Sequence, residues 1–130
     1  VMRGGPALYG ILATDAGVLS VASNRIFPEI AAQGSELPLV VYRFSNLVPS
    51  DTKSGVSTLD SESYVIVAIA KSYTVSTDLS YKIRTALDRY SGTVNSVEVQ
   101  SIEFTGYDSD YDADNAVYTT VTEFTLRIKI

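Results

Sequence analysis

The sequence contains no histidine and no cysteine among its 130 residues. Histidine is the side chain whose ordinary pKa lies near neutrality, and cysteine supplies thiolate nucleophiles and zinc ligands. Their absence excludes serine–histidine dyads, cysteine nucleophiles and the usual zinc sites. A catalyst would need aspartate, glutamate, lysine or tyrosine with a shifted pKa. We therefore predict that the protein is not an enzyme and binds no cofactor.

Long hydrophobic segments and an excess of basic residues are also missing. No apolar run approaches the roughly 20 residues that span a bilayer, and Val1–Gly5 is not followed by the apolar segment of a signal peptide. We expect no membrane association. The net charge is −5, which argues against a general affinity for nucleic acid, because that affinity depends on lysine and arginine neutralising phosphates.

The residues that are present are typical of one globular domain spanning residues 1–130. Hydrophobic residues make up 45% of the chain and charged residues 19%, as in ordinary globular proteins, and the length suits one domain. Apolar spacing predicts helices or strands in the following segments: two short helices between Pro6 and Asn24, extended chain at 25–28, strands at 37–47 and 64–70, a helix at about 74–90, and strands at 99–105 and 118–130.

This order predicts an α+β fold. We expect an antiparallel four-stranded sheet made of two hairpins, with the long helix and the short N-terminal helices packed on one face. The last strand alternates apolar and polar residues, so the other face of the sheet meets water or a partner. Two long polar connections, Val48–Leu59 and Tyr107–Asn115, are expected as loops.

Alternating aspartates form the sharpest local pattern. They are Asp108, Asp110, Asp112 and Asp114. Oxygen ligands at every second position are typical of a calcium loop. The EF-hand pattern, however, needs glycine at its sixth position and glutamate at its twelfth, where this chain has Ala113 and Thr119. A solvated hairpin tip or a partner contact is the favoured interpretation, and calcium binding is the alternative.

Several segments, in order, resemble the tail completion proteins of phages and prophages, a group related to tail terminators. The segments are Ala7–Leu12, Asn24–Pro28, Gln33–Gly34, Leu37–Tyr42, Ser63–Ala70 and Leu79–Leu87, followed by the acidic hairpin and the closing strand. Each motif is short, but the ordered set extends over almost the whole chain.

The resemblance implies a structural virion protein that assembles in the host cytoplasm and is located in the tail–neck region. It implies a ring of identical subunits, usually six, that caps the tail tube, ends tube polymerisation and offers a surface to the head-side connector. DNA would cross the lumen of the ring. The negative net charge of the protein is compatible with this, because like charges keep DNA from adhering. The resemblance implies no catalytic residue.

Length and polarity make the two long connections our candidates for ring and tube contacts, since tyrosine is also frequent at interface hot spots. The candidate contact residues are Ser50, Asp51, Thr52, Lys53, Ser54, Tyr107, Asp110, Tyr111 and Asp112. For the 50–54 segment, a mobile loop is an equal alternative.

Three other functions remain open. A head-closure or other neck protein would also assemble, but would not cap tail tubes. A small ligand-binding α+β domain would present a defined pocket. An enzyme that uses aspartate and tyrosine would bring two carboxyl groups together in one cleft.

Overall fold

A computed structural model describes residues 4–23, 25–30, 36–49 and 59–129, which form three helices and six strands. The elements in chain order are α1 (Gly4–Thr14), α2 (Ala16–Ala22), β1 (Ile26–Pro28), β2 (Leu39–Pro49), β3 (Leu59–Ala70), α3 (Tyr73–Leu87), β4 (Gly92–Val94), β5 (Val97–Asp112) and β6 (Val117–Lys129). The α+β class is confirmed.

The sheet differs from the four-stranded antiparallel one that the sequence predicts. It has six strands in the order β1-β2-β3-β6-β5-β4, and β1 pairs with β2 in parallel, so the sheet is mixed. The two expected hairpins, β2–β3 and β5–β6, form its centre and join through the antiparallel pairing of β3 with β6. The added strands β1 and β4 have only three residues each, too few to show an alternating pattern.

Local hydrogen bonds and apolar spacing explain α2 and α3. Asp15 precedes α2 and accepts a hydrogen bond from the Val18 N–H at 2.9 Å, as an N-cap aspartate does. In α3, Leu79, Ile83 and Leu87 form the buried stripe, and Lys82 pairs with Asp78 at 3.1 Å. The first helix begins two residues before Pro6, so Pro6 lies within its first turn.

A row of four aromatic side chains crosses the sheet beneath the helices. Phe44, Tyr64, Phe124 and Phe104 are directly opposed on β2, β3, β6 and β5. The ring centroids of the outer pairs lie 5.6 Å and 5.5 Å apart in edge-to-face geometry, the arrangement that aromatic pairs prefer. The two inner rings are buried, whereas Phe44 at the β2 end is 37% exposed.

Small polar side chains lie between α3 and the sheet. The Ser76 hydroxyl donates to the Ala68 carbonyl at 3.1 Å and pairs with the Thr120 hydroxyl at 2.7 Å. One turn further along, the Ser80 hydroxyl is buried and has no hydrogen-bond partner among the described residues. The Ser76 hydroxyl therefore contributes to stability, whereas burial of the Ser80 hydroxyl costs stability.

Among the described helices, no single one is long and apolar enough to cross a membrane. The helices α1 and α2 reach the necessary length only as a pair, and they meet at 81°. Their apolar residues Leu8, Leu12 and Val18 are buried in the core.

We expect Ser76→Ala to lower the free energy of unfolding by about 1–2 kcal/mol, because it leaves the Thr120 hydroxyl and the Ala68 carbonyl with one partner fewer. The matched variant Ser80→Ala removes a buried hydroxyl that has no described partner, so it should be neutral or stabilising. Urea unfolding of both variants measures the difference. A larger loss for Ser80→Ala than for Ser76→Ala would contradict this assignment.

Candidate assembly surfaces

Three exposed tyrosines lie on the helix-covered side of the sheet near its β5 edge. Tyr73 begins α3, and Tyr107 and Tyr111 lie on β5; their exposed fractions are 57%, 56% and 48%. Tyr118 of β6 connects two of them, with ring centroids 5.9 Å from Tyr73 and 4.8 Å from Tyr111. We call Tyr73, Tyr107, Tyr111 and Tyr118 the tyrosine flank.

The expectation of a loop over Tyr107–Asn115 is wrong for Tyr107–Asp112, which is strand, whereas the end of that range lies in the turn. Strand β5 continues to Asp112, and the turn to β6 has only four residues. Because side chains alternate along a strand, Tyr107 and Tyr111 share the helix side, opposite Thr122 and Tyr118. The sequence carries this signal as a two-residue period of tyrosine and aspartate.

Two aspartates bind the backbone of the segment that contains them. Asp108 accepts from the Ser109 N–H and Asp110 from the Tyr111 N–H, each at 2.8 Å. Strand β4 reaches only as far as Val99 along this edge. Polar side chains that occupy edge N–H groups protect an edge strand from pairing with another chain. The N–H groups of Ser109 and Tyr111 are therefore occupied within their own segment.

The turn is closed by Asp112. Its carboxylate accepts from the Asn115 side-chain amide at 2.8 Å and from the N–H groups of Asp114 and Asn115 at 3.1 and 3.3 Å. These bonds favour the ionised carboxylate, so they lower its pKa, the Asn115 side chain contributing most.

Within the described ranges no three acidic side chains come close enough together to hold a metal ion. The calcium interpretation of Asp108, Asp110, Asp112 and Asp114 stays a prediction. Asp108 and Asp110 lie opposite Val121 and Thr119 on the helix-free face of the sheet.

A second apolar surface lies between α1 and β2. It is a cleft of about 380 Å³, which we call the aromatic cleft. Its lining residues are Gly5, Pro6, Tyr9, Pro28, Glu29, Tyr42, Phe44, Tyr64 and Asn95. Tyr9 is 42% exposed and, with Phe44, forms part of the rim, while Tyr42 and Tyr64 are buried.

A buried carboxylate fixes the helix beside this cleft. Glu62 is 1% exposed and accepts from the Gly4 N–H at 3.1 Å and from the Tyr64 hydroxyl at 2.7 Å. A carboxylate is favourable at a helix N-terminus because the N–H groups there have no helical partner. A Cβ on Gly4 would lie 2.6 Å from the Tyr64 ring, so only glycine permits this approach.

The hydroxyl groups of the two buried tyrosines in the cleft wall are uncharged at neutral pH. Burial raises the pKa of the Tyr42 hydroxyl. Burial also raises the pKa of Tyr64, and the hydrogen bond to Glu62 raises it further. Glu29 is the charged lining residue; it accepts from the Phe44 N–H at 3.2 Å and lies 4.0 Å from Arg43.

The structure brings some of the predicted contact residues together. Tyr107 and Tyr111 are exposed on one side of β5, and Asp110 projects from the other face. Asp112 accepts hydrogen bonds within the turn that follows. Ser50, Asp51, Thr52, Lys53 and Ser54 lie outside the described residues. Sequence reasoning missed Tyr73 and the aromatic cleft, because both arise from the packing of helices that are distant in sequence from the strands they contact.

We expect carbon-detected NMR titration to place the pKa of Asp112 below the ordinary aspartate value of about 3.9, because the ionised form is hydrogen-bonded. A pKa that is lower in the folded than in the unfolded state contributes stability above pH about 4, and this stability is lost as pH falls through the folded pKa.

The control for this titration is Asn115→Ala, which removes the largest cause of the shift and should raise the pKa of Asp112 towards its ordinary value. A pKa of Asp112 at or above the ordinary value in the unsubstituted protein would contradict the hydrogen-bonded turn.

Comparisons with known proteins agree with the fold. The described fold is similar to a chain of the virion of a native gene transfer agent particle, with a TM-score of 0.76 and 12% identity over 95% of this chain and 92% of that one. No curated protein sequence matches. The family model of tail completion protein gp17 matches residues 6–129, so the protein belongs to the family of phage tail completion proteins, which are structural proteins of the virion.

Proposed function

We propose that copies of this protein, six in number, form a ring that caps the tail tube. The ring ends tube polymerisation and presents a surface for the head-side connector. This role requires no catalytic step and no cofactor. It places the protein in the tail–neck region of the virion, after assembly in the host cytoplasm.

The exposure of the tyrosine flank carries this proposal. Monomeric soluble proteins rarely expose large contiguous apolar patches, and such patches mark interaction sites. Tyrosine is enriched at the centres of interfaces. In a protein of the tail completion family, an aromatic patch of this kind is best explained as a contact between virion subunits.

The charge distribution supports a lumen that DNA crosses without binding. The segment 97–129, which forms β5, β6 and their turn, contains seven of the fifteen acidic residues and two of the ten basic ones. It therefore carries a net charge of −5, equal to that of the whole chain. An acidic surface repels the phosphate backbone, so it would not hold DNA in transit.

The solution mass tests the proposal. In light scattering over a concentration series, we expect a closed hexamer, or a monomer that becomes one when purified tail tubes are added. Electron microscopy should then show tubes capped at one end. A monomer that ignores tubes would contradict the proposal, and a ring that binds connectors but never tubes would favour another neck protein.

The aromatic cleft favours one second candidate, a small-ligand-binding domain. A volume of about 380 Å³ lies at the lower end of the range for ligand sites. This candidate predicts a saturable rise in melting temperature with an aromatic ligand in a protein that stays monomeric in the presence of tubes.

A further inference from the structure

We propose that neighbouring subunits meet head to tail, with the tyrosine flank of one copy seated in the aromatic cleft of the next. This inference rests on the proposed ring and specifies its subunit contact. The two surfaces are separate, because the tyrosine flank lies along β5 and β6 and the cleft lies between α1 and β2, so each copy would have one of each. Such a contact is heterologous, and a heterologous contact can close into a ring.

The charge distribution argues against the simplest alternative, in which two tyrosine flanks pack against each other about a two-fold axis. The β5–β6 hairpin carries a net charge of −5, and the rest of the chain is neutral overall. A two-fold contact would bring two such hairpins together, and like charges across an interface cost several kcal/mol. A head-to-tail contact brings one such hairpin, and not two, to each interface, so it avoids this repulsion.

The sheet register places Tyr107 level with the cleft, whereas Tyr111 and Tyr118 lie four residues further along their strands. Tyr107, Thr122, Ile66 and Tyr42 are directly opposed on successive strands. Tyr42 lines the cleft and Tyr107 belongs to the tyrosine flank, three strand spacings or about 14 Å away across the sheet. Within the flank, Tyr107 is therefore the residue best placed to enter the cleft of a neighbouring copy.

The chemistry of the cleft suits a tyrosine side chain. Its walls are the rings of Tyr9, Tyr42 and Phe44, against which another aromatic ring packs favourably. Glu29 has acceptor capacity beyond its contacts to Phe44 and Arg43, since a carboxylate offers about four lone-pair sites. The hydroxyl of an inserted tyrosine would donate to it.

One substitution on each surface tests the contact. Tyr107→Ala removes the inserted ring. Gly5→Leu fills the cleft, because a Cβ at Gly5 would lie 3.8 Å from the Tyr42 ring without a clash. Each variant alone should need at least about 30-fold more protein to assemble, the loss typical of a hot-spot residue.

The control is Tyr81→Ala. Tyr81 is 69% exposed on α3 and belongs to neither surface, so its truncation should leave the ring intact. Urea midpoints equal to that of the wild type would show that the variants fold. If Gly5→Leu lowers the midpoint, the rim substitution Pro6→Leu replaces it.

Mixing the two variants gives the decisive readout by light scattering. Tyr107→Ala retains an intact cleft and Gly5→Leu retains an intact tyrosine flank. The flank of the Gly5→Leu variant can therefore bind in the cleft of the Tyr107→Ala variant, and no second contact can form. We expect the mixture to reach the mass of a dimer and no higher.

The other outcomes overturn the inference in distinguishable ways. If both variants form rings as readily as the wild type, or if their mixture stays monomeric, this contact is refuted. The proposed ring itself is not refuted by either result. A wild-type protein that stays monomeric with tubes would refute both the contact and the proposed function.

Discussion

The pairing of β3 with β6 holds the rest of the structure in place. Twelve residue pairs, from Leu59 with Lys129 to Ala70 with Tyr118, join two hairpins that are separated in sequence by the long helix. Without this junction each hairpin would be a two-stranded unit, which is at best marginally stable in water. The pairing creates one face wide enough to bury three helices, and it fixes which side chains share a row across the sheet.

That register connects packing to function. It aligns Phe44, Tyr64, Phe124 and Phe104 as the aromatic centre of the core, and one row further it aligns Tyr42 with Tyr107. The inner members of each row stabilise the fold, while the outer members lie on β2 and β5. The same long-range pairing that buries the core therefore positions an aromatic surface along β5 and an aromatic cleft at β2.

The sequence predicts the helices, the two hairpins and the family, because these depend on local periodicity and ordered motifs. The extension of β5 was missed because aspartate is depleted in strands, although the alternation from Tyr107 to Asp112 shows the strand period. The junction of β3 with β6 and the approach of Gly4 to Tyr64 are long-range contacts that local patterns do not encode. The aromatic cleft depends on both, so it could not be predicted.

A crosslinking ladder tests the head-to-tail contact most directly, since the chain has no cysteine of its own. Pro6→Cys at the cleft rim and Ser109→Cys between the two β5 tyrosines leave every aromatic side chain in place. In assembled protein that carries both substitutions, a short bismaleimide should give a ladder up to the full ring on a denaturing gel, and either single variant should give none. Dimers from Ser109→Cys alone, or rings without a ladder, would contradict the head-to-tail arrangement.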